Sequence, residues 1–310
     1  MKACRCCLLA MVLCWAGVPA VWAGGSGLNV VVVVNQNSAD SIELGNYYSE
    51  KRHVPPENVL RINWNGGIAA WNNADFNNFL LNPLFAMIAD RQLTQQIDYV
   101  VLSMDIPYRV VQGGGVTTAG DNSTTAIIYY GFKPDGPGAP EGYPSCNLPD
   151  VSSNSYAGSE AIFRDSPPLS ALTNSYLTMM ITSSNLAQAK AIVDRGVLSD
   201  ASFPIQPVVL AKSFDTFRNV RYSAFDNTIF NTRLISDYPM YRTNSGSPYG
   251  VTNLLGYETG LDLFSILPNT FVPGAIADSL TSTAGVLYEP NNQTTLLAFL
   301  DAGATASYGT

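Results

Sequence analysis

Five consecutive valines, residues 30–34, constrain the fold of this chain more than any other feature. A continuous β-branched run is typical of a strand buried on both faces, as in a parallel sheet covered by helices. An amphipathic helix is predicted at about 39–52, with Ser38 or Asp40 as its N-cap, and Pro55-Pro56 closes it. The pattern therefore predicts the first strand and helix of an α/β fold.

The alternation of strands and helices continues along the chain. Apolar strands are predicted at 58–63 and 98–105, with a helix at about 76–93 between them. This order at this spacing predicts an α/β fold: a mostly parallel sheet with helices on both faces. The later predicted elements are strands at 176–181, 207–215, 271–280 and 304–309, and helices at about 186–198, 225–236 and 294–302.

Between residues 112 and 168 the pattern gives way to glycine, proline, serine and asparagine. This stretch is too long for an ordinary loop, so it is interpreted as an irregular insertion over the sheet. No internal repeat is evident, and residues 24–310 are predicted to form a single α/β domain that carries this insertion. The chain stops directly on a predicted strand, which indicates truncation at the C-terminus.

The first 23 residues have the pattern of a secretory signal peptide. Lys2 and Arg5 precede an apolar run, and Val21-Trp22-Ala23 is a small-residue cleavage pattern. Cleavage near Ala23 would give an exported protein, periplasmic or extracellular, and no later segment is apolar enough to span a membrane. It would also remove every cysteine except Cys146, which excludes an internal disulfide.

The charge of the chain bears on its partners. Without Lys2 and Arg5 there are 14 basic residues against 24 acidic ones, a net charge of −10. A chain this acidic is repelled by nucleic acid and by anionic membrane surfaces, so nucleic-acid binding is not expected.

Four stretches resemble an uncharacterised family of exported bacterial proteins. They are VVVVNQNSADSIELGNYYSEKRHVPPENVLRI (31–62), DYVVLSMDIPYRV (98–110), FVPGAIADSLTSTAG (271–285) and AFLDAGATASYGT (298–310). The resemblance covers nearly the whole exported chain, but it implies no activity, because none is established for the family. It does imply a longer chain, since similar members continue past GATASYGT.

The segment from 274 to 309 also has a weaker resemblance to the gingipain and caspase type of fold. Those peptidases carry a cysteine at a strand end, followed by a helix and a glycine-rich strand. The matching positions here, around Ser279 to Thr283, hold serine, threonine and alanine, and the His-Gly dipeptide is missing. The resemblance therefore implies a caspase-like architecture without the peptidase chemistry.

Polar residues follow the predicted strands, and in parallel sheets ligands bind outside the carboxyl ends of the strands. Asp105 and Asp215 each end an apolar strand, and two carboxylates over one crevice could act as general acid and base. Alternatively, each caps a helix or pairs with a nearby arginine. The candidate ligand-binding residues are Asn37, Ser38, Ser103, Arg109, Asp278 and Ser282.

Other chemistry-bearing residues are assigned no functional role. His53, the only histidine, lies between the first helix and the second strand, which puts it at the opposite edge of the sheet from the strand tips. Cys146 has no histidine to activate it and is interpreted as a structural or incidental thiol. DNSTT (121–125) and EPNNQTT (289–295) carry oxygen ligands suited to calcium but match no full calcium loop, so surface turns are favoured. No metal or other cofactor is predicted.

These observations favour a binding or envelope-associated module that is not a peptidase. Its ligand is unknown, with a peptide or a glycan as candidates. The alternative is a hydrolase that works through Asp105 and Asp215, with or without a metal ion.

Overall fold

The structure is a computed structural model, and it describes residues 26–111, 121–130, 176–219, 221, 225, 240–243 and 248–309. The predicted signal peptide, Cys146 and most of the predicted insertion (112–120 and 131–168) lie outside the described residues. The strands are β1 Val30–Asn35, β2 Val59–Ile62, β3 Ala70–Asn72, β4 Tyr99–Leu102, β5 Arg109–Val111, β6 Asn122–Ser123, β7 Leu177–Met180, β8 Val208–Ala211, β9 Met240–Thr243, β10 Leu254–Thr259, β11 Phe271–Ser279 and β12 Ala306–Gly309. The helices are α1 Ala39–Arg52, α2 Asn73–Phe76, α3 Asn82–Asp90, α4 Thr124–Tyr130, α5 Leu186–Leu198 and α6 Leu297–Asp301.

The predicted α/β class is confirmed, and most of the described parallel strands are divided between two sheets. The first sheet has the order β2-β1-β4-β7, and the second has the order β12-β11-β10-β8-β9. Every pairing in both sheets is parallel. A small third sheet, β3-β5-β6, contains one antiparallel pair. The carboxyl ends of the strands within each large sheet therefore meet at one edge.

The valine strand β1 lies inside the first sheet and is buried on both faces, as its sequence predicts. Its alternate valines face opposite cores: one set packs with Phe76 and Leu84 of α2 and α3, the other with Leu44 of α1 and Val193 of α5. Burying a valine side chain fully stabilises the fold by about 1.5 kcal/mol or more. Helices consequently cover both faces of this sheet.

Gly45 lets α1 pack closely on β1. A Cβ atom at this position would lie 2.4 Å from a methyl carbon of Val34, Cγ2, well inside van der Waals contact. The helix could then not approach the strand without displacing it. This close packing fixes the beginning of α1 relative to the carboxyl end of β1.

The second sheet has its own aromatic core. Tyr257 of β10 is 2% exposed and packs against Phe264 and Phe299, with ring centroids 6.1 and 5.5 Å away. Phe299 belongs to α6, so this short helix covers one face of the sheet. Strand β10 was not predicted, because its sequence LLGYET interrupts the apolar run with a glycine and an acid.

Helix α5 and the C-terminal end of α6 connect the two sheets. Helix α5 contacts both α1 and β11. Ser183 and Ser184, which follow β7, donate hydrogen bonds of 2.7 and 2.5 Å to the carboxylate of Asp301 at the end of α6. Arg195 of α5 donates to the carbonyl oxygens of Leu300 and Ala304. The second sheet is thus attached beside the carboxyl edge of the first.

Within the part of the chain that the structure describes, no helix has the length and apolarity required to cross a membrane.

Candidate functional site

Asn35, the last residue of β1, holds together three loops at the carboxyl edge of the first sheet. Its side-chain Nδ2 donates to the carbonyl oxygen of Asp105 at 3.2 Å. Its Oδ1 accepts from the backbone N–H groups of Asn37 and Trp64 at 3.2 and 3.1 Å. Asn35 is 4% exposed. Because these partners follow β1, β2 and β4, one buried carboxamide positions the loops after all three strands.

Asp105 occupies the centre of this arrangement in an unusual backbone conformation. Its φ of 59° lies in the left-handed region, which aspartate tolerates better than most residues. Its Oδ2 accepts a 2.5 Å hydrogen bond from the hydroxyl of Ser38. Its Oδ1 has no hydrogen bond or ion pair to any described residue. One carboxylate oxygen is therefore held in place, and the other can accept from a ligand.

Ser38 has two roles in the site. It is the N-cap of α1, where its Oγ accepts from the backbone N–H of Ser41 at 3.0 Å, and the same hydroxyl donates to Asp105. The N-terminal end of a helix carries partial positive charge, which stabilises a nearby carboxylate. Helix α1 thus both orients Asp105 and offsets part of its negative charge.

Ser103 supports the same corner from within the core. It is 2% exposed, and its hydroxyl donates to the carbonyl oxygen of Ser41 at 2.8 Å. Ser41 in turn accepts from the backbone N–H of Asn35 through its Oγ at 3.0 Å. Ser103 therefore positions the first turn of α1 and is too buried to touch a ligand.

An open pocket of about 410 Å³ lies over these residues. Its size is within the range that small-molecule sites occupy. The lining combines amide, hydroxyl and carboxylate groups with a little apolar surface. The described residues that line it are Asn35, Asn37, Ser38, Trp64, Asn65, Gly66, Ile68 and Asp105.

The loop after β2 forms the far wall of the pocket around Trp64. The indole N–H donates to the carbonyl oxygen of Gly67 at 2.9 Å, and the ring packs on Trp71 at a centroid distance of 4.6 Å. A Cβ at Gly66 would lie 2.1 Å from the Trp64 ring, so only glycine lets this backbone lie against it. Trp64 thus gives the wall its shape, and its ring is largely covered by its own loop and by Trp71.

Residues of the segment between β11 and α6 approach the same edge. Glu289 accepts hydrogen bonds from Tyr108 and Arg109 at 2.6 and 2.8 Å, and Tyr288 hydrogen-bonds Thr182 after β7. Burial raises the pKa of the Tyr288 phenol, the hydrogen bond with Thr182 opposes this, and the negative charge of Asp105 adds to it. The charge of Asp105 therefore acts on a side chain of the segment between β11 and α6.

Arg109, predicted to bind ligand, is held by two carboxylates. Besides Glu289, it lies 3.8 Å from Asp121, and its side chain is only 13% exposed. Arg109 opens β5, whose pairing with β3 directs the chain into the third sheet. It therefore stabilises the attachment of the second sheet and leaves Asp105 without a cationic partner among the described residues.

Asp215, the second predicted catalytic acid, lies at the tip of the other sheet. Its Oδ1 accepts from the backbone N–H of Phe217 at 2.8 Å, and its Oδ2 lies 3.3 Å from Arg218, which also pairs with Asp262 at 3.2 Å. No hydrogen bond or ion pair among the described residues joins it to Asp105. These contacts match the alternative prediction, in which an arginine and a capped turn engage the carboxylate.

Asp278 of β11 belongs to a second ion-pair cluster, on the second sheet. It lies beside Glu258 of the neighbouring β10, and Arg221 pairs with both. Burial raises the pKa of Asp278, against the opposing charge of Arg221. Burial also raises the pKa of Glu258, where Arg221 lowers it and the charge of Asp278 raises it. Ser282, also predicted to bind ligand, is exposed in the turn after β11.

The remaining sequence candidates have structural roles where they are described. His53 caps the C-terminal end of α1 with a φ of 54°, in the predicted connection to β2. In the EPNNQTT segment, Asn291 and Gln293 accept hydrogen bonds from the Thr283 hydroxyl at 2.7 and 2.8 Å, which ties down a turn. Among the described residues, no group of three or more histidine, cysteine, aspartate or glutamate side chains could hold a metal ion.

Sequence reasoning overlooked the role of Asn35 and the whole loop from Trp64 to Ile68. The signal for the loop was its WNGGI sequence, which follows a predicted strand and combines an aromatic ring with two glycines. Nothing in the sequence marks Asn35 among its polar neighbours.

The comparisons with known proteins give no family assignment. No family model matches the chain, and no curated protein matches it. A solved structure described as "Structure of Protease" superposes with a TM-score of 0.44 at 9% sequence identity. The alignment covers 93% of this chain and 60% of that one, so this chain spans less than two thirds of its length. The resemblances to an exported bacterial family and to a caspase-like architecture therefore stay predictions.

Proposed function

We propose that this protein is a binding module of an exported bacterial family, and that it captures a small polar ligand in the pocket around Asp105. The observation that carries the proposal is the state of the Asp105 carboxylate. Ser38 fixes one of its oxygens at 2.5 Å, while the other has no partner among the described residues and the residue lines an open pocket. Such an oxygen can anchor a ligand that donates hydrogen bonds.

The location at the carboxyl edge of a parallel sheet supports the same proposal. Ligands in α/β folds bind at this edge because the loops that follow the strands gather there. Here Asn35 binds three of those loops to one another, so the pocket is preorganised before any ligand arrives. Export rests on the signal-peptide pattern of residues 1–23, and a caspase-like architecture rests on the sequence resemblance.

The alternative hydrolase needs a second carboxylate near the first, at about 5 to 9.5 Å for paired acids of the glycosidase type. Asp105 is the only carboxylate among the described residues that line this pocket. Asp215 is engaged by Arg218 at the tip of a different sheet. The geometry therefore favours binding over paired-acid hydrolysis.

A ligand screen on the purified protein tests the proposal. Ligand-observed NMR with saccharides, amino acids and short peptides identifies binders, and each binder is repeated with Asp105→Asn, which removes the charge but keeps the shape. We expect affinity to fall about 10-fold, as for the loss of one charge-assisted hydrogen bond. Asp215→Asn, the matched carboxylate outside the pocket, should leave affinity within about twofold of wild type.

Two outcomes would contradict the proposal. In the first, every binder tolerates Asp105→Asn, which would put binding elsewhere. In the second, the wild-type protein cleaves a binder and Asp105→Asn abolishes the cleavage, which would favour the hydrolase.

A further inference from the structure

We infer that the ligand of the Asp105 pocket is a neutral saccharide, bound through its hydroxyl groups; this inference rests on the proposed binding function. Three hydrogen-bonding groups of the lining have no partner among the described residues: Oδ1 of Asp105 and the side-chain amides of Asn37 and Asn65. A carboxylate only accepts hydrogen bonds, whereas a carboxamide both donates and accepts. A hydroxyl also does both, so neighbouring hydroxyls match this combination of groups.

Anionic ligands fit the pocket poorly. Among the described residues, the lining contains no lysine, arginine or histidine, and it includes the negative charge of Asp105. The arginine that follows Asp105 most closely, Arg109, is paired with Glu289 and Asp121. Binding a phosphate or carboxylate would place two negative charges together without a described cation to offset them.

Cationic ligands also fit the pocket less well than the presence of a single carboxylate would suggest. Asp105 already accepts from Ser38, the N-cap of α1, and so lies at the positive end of a 14-residue helix. The charge of the carboxylate is partly offset before a ligand binds. An ammonium group also carries three donors and no acceptor, which leaves the N–H groups of Asn37 and Asn65 unmatched.

Apolar ligands would gain little in this pocket. Its described apolar surface comes mainly from Ile68, which is 38% exposed, and from Trp64. Gly66 lies against the Trp64 ring on its own loop, and Trp71 packs on it at 4.6 Å. The small apolar area suits the C–H groups of a sugar ring, while polar side chains supply most of the contact.

The test measures binding of matched sugars by titration calorimetry or ligand-observed NMR. The neutral set is glucose, galactose, mannose and N-acetylglucosamine; glucosamine adds a cation and glucose 6-phosphate adds an anion. We expect at least one neutral sugar to bind, its phosphate ester to bind at least 10-fold more weakly, and an ammonium analogue to bind no more tightly. A deoxy analogue that lacks a contacting hydroxyl should lose about 10-fold or more, because it leaves a polar group of the pocket unpaired.

Variants show whether the sugar binds in this pocket, and the set of compounds that bind distinguishes failure of the saccharide inference from failure of the proposed binding function. Asn37→Ala should weaken sugar binding, whereas Asn46→Ala, an exposed asparagine of α1 outside this pocket, should not. If glucosamine binds at least 10-fold more tightly than every neutral sugar, or if only amino acids or peptides bind in an Asp105-dependent way, the saccharide inference is overturned and the binding function stands. If no compound of any class depends on Asp105, both fail.

Discussion

The aspartates at the carboxyl edges of the two parallel sheets have different partners: neutral groups at the first sheet and arginines at the second. At the first sheet, Asp105 is held by the hydroxyl of Ser38 and by neutral amide contacts from Asn35. At the second, Asp215 is paired with Arg218, and Asp278 is paired with Arg221. The sequence pattern, an apolar strand followed by an aspartate, is the same in Asp105 and Asp215. What distinguishes these two acids is therefore the set of neighbours that the fold supplies.

The path of the chain after each aspartate explains the difference. Arg218 lies three residues beyond Asp215 in a tight turn, so it folds back onto the carboxylate. Arg109 lies four residues beyond Asp105, but Pro107 intervenes and Arg109 enters β5. The pairing of β5 with β3 then brings Arg109 to Glu289 and Asp121. Arg218 therefore pairs with the acid that precedes it, whereas Arg109 pairs with carboxylates other than Asp105.

The largest expected effect comes from removing the asparagine that orders the first edge. Asn35→Ala would leave two backbone N–H groups and one carbonyl oxygen without their partners in a partly buried corner, so we expect a loss of about 2 to 3 kcal/mol in the free energy of unfolding. The matched change at the second edge is Asn219→Ala. Asn219 accepts one hydrogen bond, from the N–H of Ser213, and its loss should cost about 1 kcal/mol.

Urea denaturation of both variants measures this contrast. Equal losses at the two positions would show that Asn35 does not organise the first edge, and the argument for a preorganised pocket would then fail.

A smaller effect is expected in the pH dependence of stability, and it should arise from two carboxyls of the second sheet. Burial raises the pKa of Asp278 and of Glu258. Carboxyls with raised pKa values stabilise the fold fully below their ordinary pKa, near pH 4, and this contribution is lost as the pH rises through the raised values. We therefore expect wild type to lose stability from about pH 4 upward relative to a variant with Glu258→Gln and Asp278→Asn.

Denaturation curves at a series of pH values give the difference between wild type and this double variant. A difference that instead grows in favour of wild type with rising pH would mean that pairing with Arg221 outweighs the cost of burial.

The smallest expected effect is the salt-dependent contribution of Arg218 to the stability of the second sheet's edge. Arg218 pairs with Asp215 and Asp262, whose side chains are 37% and 52% exposed. Arg218→Gln should cost about 0.5 kcal/mol at low salt, and close to nothing at 1 M NaCl, where charges are screened beyond about 3 Å. Arg61→Gln, an exposed arginine with no ion pair among the described residues, is the control. A cost for Arg218→Gln that persists in 1 M salt would show that its contribution is packing and not charge.

Much of the first sheet could be predicted from the sequence. The valine run predicted a strand buried on both faces, and Val30–Asn35 is such a strand between helices. The predicted helices at 39–52 and 186–198 match α1 and α5. These elements were predictable because their hydrophobic periodicity is local and the packing that buries them follows the same pattern.

The candidate site was predictable only in part. Asn37, Ser38 and Asp105 were selected because strand tips gather ligands, and the structure brings them into one pocket. Asp215, selected on the same rule, and Arg109, selected as a cation that could bind an anionic ligand, both have ion-pair partners instead. A sequence lists residues in order along the chain, whereas pairing depends on which distant residues reach the same point.

The sequence by itself determined the α/β class, the elements around β1 and the polar character of the strand tips, since each follows from local periodicity and residue type. Only the tertiary structure decided that most of the described parallel strands divide between two sheets, that Asn35 ties three loops together, and that one oxygen of Asp105 has no partner among the described residues and faces an open pocket. The physical reason is that hydrogen bonds and ion pairs are satisfied across long separations: Asn35 and Asp105 lie 70 residues apart, and Arg109 and Glu289 lie 180 apart.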